Sequence, residues 1–309
     1  MTGVETDLQP RELARGIRNG NCIALAKGIT LAENDPAGAS KLLALMGPPG
    51  RAFVLGITGP PGTGKSSLVD RLIEAYRKDG LKVGVIAVDP SSPITGGALL
   101  GDRIRMTGHA GDRAVFIRSM ASRGWSGGLS RSTSQVIRLM DAAGYDLILL
   151  ETVGIGQSDI EVVGVSHAVL VVLMPGMGDD IQVSKAGLME VGDIYVVNKS
   201  DLEGADVLVV SLLSLFRGTP RSPPVIEASA LTGEGVDKLH DAIEVMRKSF
   251  REGDAALWLK SIRGMIVETA RGAAMERLAR VSEAKAERLA REVMAGKTTI
   301  EAAAASLSS

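Results

Sequence analysis

Cysteine occurs once in 309 residues, at Cys22, so no intrachain disulfide can form and a reducing compartment is expected. Histidine occurs at three separated positions, His109, His167 and His240, which gives no metal-binding tract. Aromatic residues make up only 3% of the chain, so its core must be built from the Val, Ile, Leu, Ala and Met that dominate the 45% hydrophobic content. Neither sign of charge is in excess: 35 basic against 36 acidic residues leave a net charge of −1, with no long basic block. That disfavours nucleic acid as the main partner. No apolar run is long enough to cross a bilayer. The first ten residues lack the apolar centre of a signal peptide. A soluble, cytoplasmic protein is expected, with no membrane association.

Against this plain background one stretch stands out: Gly59-Pro60-Pro61-Gly62-Thr63-Gly64-Lys65-Ser66, followed by Ser67. It satisfies G-x-x-x-x-G-K-[ST] at every fixed position. The buried-strand pattern of residues 52–58 precedes it. Leu68, Val69, Leu72, Ile73 and Tyr76 after it form one helical face. Strand, glycine-rich turn and helix are the context this motif needs. The glycines let successive N–H groups turn inward to phosphate oxygens, and the helix N-terminus adds partial positive charge. Lys65 is placed to reach the β- and γ-phosphates, and the Ser66 hydroxyl to bind Mg²⁺.

Further apolar runs follow at 83–88, 114–117, 147–150, 168–173, 194–197 and 224–227. Continuous rather than alternating apolar runs mean strands covered on both faces. The fold class expected is α/β, a doubly wound, mostly parallel sheet of the P-loop NTPase kind, with ligands at the carboxyl ends of the strands. Residues 1–50 read as an N-terminal helical extension, with Leu13, Ile17, Ile23 and Leu25 buried, and packing against the sheet is its expected role. Residues 51–250 form the P-loop domain. Residues 251–309 are a C-terminal helical region whose stripe of Trp258, Ile262, Met265, Ile266 and Thr269 packs either within the chain or as a dimer arm.

The polar motifs fall just after the apolar runs. Asp89, beside the phosphates, either orients the attacking water or a Mg²⁺-bound water, or makes an Asx-turn before the prolines. Asp102 has the same two readings from a loop. Glu151 ends the fourth run, where a P-loop enzyme holds its Mg²⁺ shell, and Gly154 lets a backbone N–H approach a γ-phosphate. Asn198-Lys199-Ser200-Asp201 fits N-K-x-D. There a carboxylate accepts two hydrogen bonds from guanine that adenine has no donors to make, while the asparagine braces the loop and the lysine stem lies along the base. Ser229-Ala230-Leu231 supplies a backbone N–H for the base oxygen. The nucleotide is GTP or GDP.

With these residues together the chain resembles the MeaB/ArgK family of P-loop GTPases. The likeness is carried by residues 56–66, Val88-Asp89-Pro90-Ser91-Ser92, Thr95-Gly96-Gly97 with Gly101-Asp102-Arg103, Glu151-Thr152-Val153-Gly154-Ile155-Gly156-Gln157-Ser158, Asp179-Asp180-Ile181-Gln182 and Val196 to Asp201. It covers nearly the whole chain. It implies GTP hydrolysis with Mg²⁺, and Lys65, Asp89, Asp102 and Glu151 around the phosphates and metal. It also implies a switch at Asp179–Lys185 and a homodimer held by the C-terminal helices. The implied role is that of a chaperone for a cobalamin-dependent acyl-CoA mutase of the methylmalonyl-CoA mutase type, gating adenosylcobalamin delivery and protecting the enzyme. No Ras-like glutamine immediately follows Glu151-Thr-Val-Gly, so intrinsic turnover is expected to be slow and a partner to supply or order the missing group. The alternatives are a metallochaperone GTPase and a kinase of an amino-acid transport system.

Overall fold

The computed structural model describes residues 10–48, 50–89, 107–109, 111–121, 131–152, 158–177, 189–220, 222–253, 255–279 and 281–308. Among these, seven parallel strands form one sheet in the order β3-β2-β4-β1-β5-β6-β7. They are β1 (Phe53–Thr58), β2 (Val83–Asp89), β3 (Val115–Ala121), β4 (Leu147–Glu151), β5 (Ala168–Leu173), β6 (Ile194–Val197) and β7 (Val225–Glu227). Each begins within one residue of an apolar run, and all but β3, which continues four residues past its run, also end within one, because an all-parallel sheet buries both faces and leaves no alternation to blur the signal. Odd and even residues divide between two cores. Phe53, Leu55 and Ile57 of β1 join Leu68, Leu72 and Ile73 of α4 (Lys65–Lys78), whereas Val54 joins Ile137 and Leu139 of α5 (Arg131–Ala142).

Three helices precede the sheet: α1 (Pro10–Arg18), α2 (Cys22–Asn34) and α3 (Pro36–Ala44). Asn21 caps α2, its Oδ1 accepting from the N–H groups of Ile23 and Ala24. Asp35 caps α3, with Pro36 in the first turn, where its missing N–H costs nothing. The extension reaches the sheet through α5. Ile17, Ile29 and Leu42 share a core with Leu139, and Gln135 donates to the Pro36 carbonyl at 2.9 Å. Leu13, Ile17 and Leu25 are buried as expected, but Ile23 is 71% exposed. The new helix starting after Asn21 sets its own phase, so Ala24, Leu25, Gly28, Ile29 and Ala32 face inward and Ile23 outward.

The remaining helices are α6 (Ser158–Val165), α7 (Ala205–Phe216), α8 (Val236–Arg251), α9 (Ala255–Ala279), α10 (Glu283–Met294) and α11 (Ile300–Ser308). The C-terminal α9 lies along α6 and α5 of its own chain. Gly264 and Gly164 meet backbone to backbone there; a Cβ on Gly264 would stand 1.5 Å from the Gly164 carbonyl oxygen. Trp258 and Met265 pack against the two cores, while Ile266 is 64% exposed and does not belong to the buried stripe. The period of 3.6 carries the contact line away from position 266 and onto Ser261, which is fully buried.

Four rings gather at the end of the sheet opposite the carboxyl edge. His167 stacks on Phe53 at 5.7 Å and lies 4.0 Å from Phe250, which stacks on Trp258 at 5.6 Å. His167 Nδ1 accepts from the Val54 N–H at 2.8 Å. Burial, with Lys260 nearby, lowers the His167 pKa to about 3, so the imidazole is neutral. It is a structural histidine that ties the α8–α9 corner to β1.

Candidate nucleotide-binding site

Parallel pairing brings the strand ends to one edge: Ile57 of β1 is in register with Glu151 of β4, Thr58 with Val171 of β5, and Leu173 of β5 with Val197 of β6. The loops leaving β1, β4, β6 and β7 therefore converge.

The loop after β1 turns on three left-handed glycines, Gly59 (φ 141°), Gly62 (φ 81°) and Gly64 (φ 86°). At Gly59 a Cβ would lie 2.1 Å from the Val172 carbonyl oxygen, and at Gly64 2.5 Å from Asn198 Nδ2. Neither position accepts another residue. Thr63 Oγ1 donates to the Pro60 carbonyl at 3.0 Å, closing the turn beside Pro61. Lys65 Nζ donates to the carbonyls of Gly59 (2.8 Å) and Pro60 (3.1 Å), which holds the ammonium over the loop. The α4 N-terminus carries no side-chain cap and no acidic residue in its first turn. Its N–H groups suit an anion better than a side chain would.

Ser66 and Glu151 meet at the strand edge. The Ser66 hydroxyl donates to Glu151 Oε1 at 2.7 Å, and both side chains are buried. Thr152 continues the contact, its N–H donating to the Ile57 carbonyl at 3.1 Å and its hydroxyl lying 3.2 Å from that of Thr58. A hydroxyl and a carboxylate on rigid elements form a hard-oxygen donor set that fits Mg²⁺.

Asn198 is buried between two loops. Its Nδ2 donates to the Thr63 carbonyl at 2.7 Å, and its Oδ1 accepts from the Ala230 N–H at 3.0 Å. Lys199 follows with φ 59°, the one positive φ outside glycine among the described residues. That turn lays the lysine stem beside Gly64, with Cε 3.9 Å from the Cβ position there. Asp201 is exposed, and the Ser229 hydroxyl donates to its Oδ1. The expected loop brace and base-facing carboxylate are thus brought together, with Ser229, Ala230 and Leu231 alongside. Sequence reasoning missed Arg71 of α4, whose Nε donates to the Ala230 carbonyl at 2.8 Å and Nη2 to that of Leu231 at 3.1 Å. A lone arginine on a solvent-facing helix position carries no motif. Asp102, Gly154 and the segment Asp179–Lys185 lie outside the described residues, as does the side chain of Asp89, whose backbone ends β2 in register with Ala121.

The family model for methylmalonyl-CoA mutase-associated GTPases, MeaB, matches residues 25–286. The chain belongs to the MeaB family. A Pyrococcus horikoshii relative of this MeaB-family chain is 50% identical over 252 residues, covering 78% of each chain. The GTPase ArgK of Escherichia coli is 40% identical over 245 residues, covering 75% of this chain and 74% of that protein. The mouse mitochondrial methylmalonic aciduria type A homolog is 36% identical over 205 residues, covering 62% of this chain and 49% of its own. A solved structure titled LAO/AO transport system kinase superposes with a TM-score of 0.72 at 27% identity, covering 99% of this chain and 98% of that one. The MeaB-family chain is a P-loop GTPase that binds guanine nucleotide. Its family carries an association with methylmalonyl-CoA mutase in its name. Among the described residues no helix is long and apolar enough to cross a membrane.

Proposed function

We propose that this GTPase acts as a nucleotide-controlled chaperone of a cobalamin-dependent acyl-CoA mutase of the methylmalonyl-CoA mutase type, gating adenosylcobalamin delivery and protecting the enzyme. The observation that carries the nucleotide half is the buried Ser66–Glu151 contact joining the P-loop helix to the β4 end. The family supports the mutase half. The kinase reading is dropped, since the family and the E. coli relative are GTPases.

In this reading the loop from Gly59 to Ser67 cradles the phosphates, and Lys65 leaves the Gly59 and Pro60 carbonyls to donate to the γ-phosphate. Ser66 and Glu151 hold Mg²⁺, with Asp89 and Asp102 completing its shell or orienting water and Gly154 offering its N–H to the γ-phosphate. When bound, Mg²⁺ neutralises charge that develops on the phosphate oxygens. Asp201 accepts from the guanine N1–H and 2-amine, Lys199 lies along the base, and Asn198 ties the base side to the phosphate side. Catalysis is positioning plus charge stabilisation. A homodimer through C-terminal helical surface is part of the proposal, with residues 251–309 as its seat, in the cytoplasm.

The test is GTP turnover by the purified protein with and without a cobalamin-dependent acyl-CoA mutase. Acceleration by the mutase is expected, with ATP hydrolysed far more slowly than GTP. An unchanged rate with every such mutase would remove the chaperone half and leave the GTPase.

A further inference from the structure

Arg71 stands about one and two-thirds helical turns beyond Lys65 on the same helix, yet its guanidinium reaches the loop after β7. Nε donates to the Ala230 carbonyl at 2.8 Å and Nη2 to the Leu231 carbonyl at 3.1 Å, while Nη1 pairs with Glu74 Oε2 at 3.2 Å. Three donors of one planar group are thereby engaged, and Glu74 fixes the rotation of the plane.

The Ala230 carbonyl belongs to the same peptide unit as the Leu231 N–H. In a trans peptide these two groups point in opposite directions, and no cis bond occurs among the described residues. Holding the carbonyl toward α4 therefore turns the Leu231 N–H away from it. The preceding N–H, that of Ala230, is already given to Asn198 Oδ1 at 3.0 Å. Among the described residues the Leu231 N–H donates to no protein acceptor.

We infer that Arg71 is a positioning residue for base recognition, orienting the Ala230–Leu231 peptide so that the Leu231 N–H meets the guanine 6-oxygen. This rests on the base site proposed above, with Asp201 as reader of the 2-amine. The 6-oxygen and the 2-amine are then read by separate elements. The strap also runs from the helix that begins with Lys65 and Ser66, so phosphate and base grips share one rigid body.

The distinction can be measured. Arg71→Met keeps the aliphatic stem and removes every donor; Arg71→Lys retains charge without the planar fork. Binding is compared for GDP, for IDP, which keeps the 6-oxygen and lacks the 2-amine, for ADP, and for pyrophosphate, which has no base. For Arg71→Met the Kd of GDP and that of IDP should each rise about tenfold, as for loss of a charged hydrogen bond. Pyrophosphate affinity should hold, and KM for GTP should rise while kcat at saturation moves less than twofold. Arg71→Lys should fall between the two proteins. A parallel loss of pyrophosphate binding would overturn the inference by making Arg71 a brace of the P-loop helix. Unchanged GDP affinity, or a loss confined to GDP, would overturn it as well. Wild-type protein that holds ADP as tightly as GDP would instead sink the base site itself.

Discussion

The Ser66 hydroxyl donates to Glu151 across 2.7 Å, joining residues 85 positions apart in sequence. Ser66 sits in the first turn of α4 and Glu151 closes β4, whose neighbours β1 and β2 hold it on both sides. The sheet fixes the backbone of Glu151 and the helix that of Ser66, and burial of both side chains limits the rotamers that could part them. Glu151→Gln keeps the size and an acceptor but removes the charge. Apparent Mg²⁺ affinity in GTP turnover should fall about 10- to 100-fold, while GDP binding without Mg²⁺ stays near wild type. Mg²⁺ titration of the turnover rate reads this, and an unshifted midpoint would exclude Glu151 from the metal site.

Asn198→Ala strips the Thr63 carbonyl and the Ala230 N–H of a partner together, both in buried surroundings. Each orphaned group costs about 1–3 kcal/mol. GDP affinity measured by calorimetry should drop by at least about tenfold, and thermal unfolding should move to lower temperature. A melting shift with intact GDP affinity would mean that the brace serves the fold alone.

His167 makes stability depend on pH. Its pKa is lowered to about 3 in the folded protein from the ordinary 6.5, so between these values only the unfolded chain takes up the proton. The contribution is intact above pH 6.5 and is lost as pH falls toward 3, at about 1.4 kcal/mol per unit. Between pH 7.5 and pH 5 the loss is about 2 kcal/mol. His167→Gln, which can still accept from the Val54 N–H, should flatten the dependence of unfolding free energy on pH over that interval. Identical slopes for the two proteins would assign the acid sensitivity to other groups.

Gly264→Ala places a methyl where the Gly164 backbone lies, with the nearest atom 1.5 Å away. Helix α9 must shift from α6, at a cost of about 1–3 kcal/mol or more. Urea unfolding gives the loss, and limited proteolysis should show earlier cutting in residues 255–279. Resistance equal to wild type would contradict the close helix crossing.

The sheet and the described part of the candidate nucleotide site were legible because their signals are contiguous. Gly59 to Ser66 is one loop, Asn198 to Asp201 another, and a strand buried on both faces announces itself as an unbroken apolar run. Glu151 was legible through its place at the end of such a run. What escaped depends on contacts between distant segments. Arg71 reads as an ordinary solvent-facing residue until Ala230 is brought alongside. Gly164 and Gly264 have no side chains to suggest that they touch. Ile23 and Ile266 were misplaced because apolar character marks a helix face only when the helix's starting phase is known, and Asn21 resets it for the first of them.

The aromatic corner formed by Phe53, His167, Phe250 and Trp258 has an optical consequence. The chain has two tryptophans, and Trp258 lies at the foot of β1, whereas the phosphate loop leaves β1 at Thr58, about 17 Å along the strand. Intrinsic fluorescence from Trp258 therefore reports on the α8–α9 corner and its stacking partners. Trp125, the other tryptophan, lies outside the described residues. Replacing Trp125 by phenylalanine would leave Trp258 as the single tryptophan, so that the remaining signal comes from the C-terminal helical corner alone.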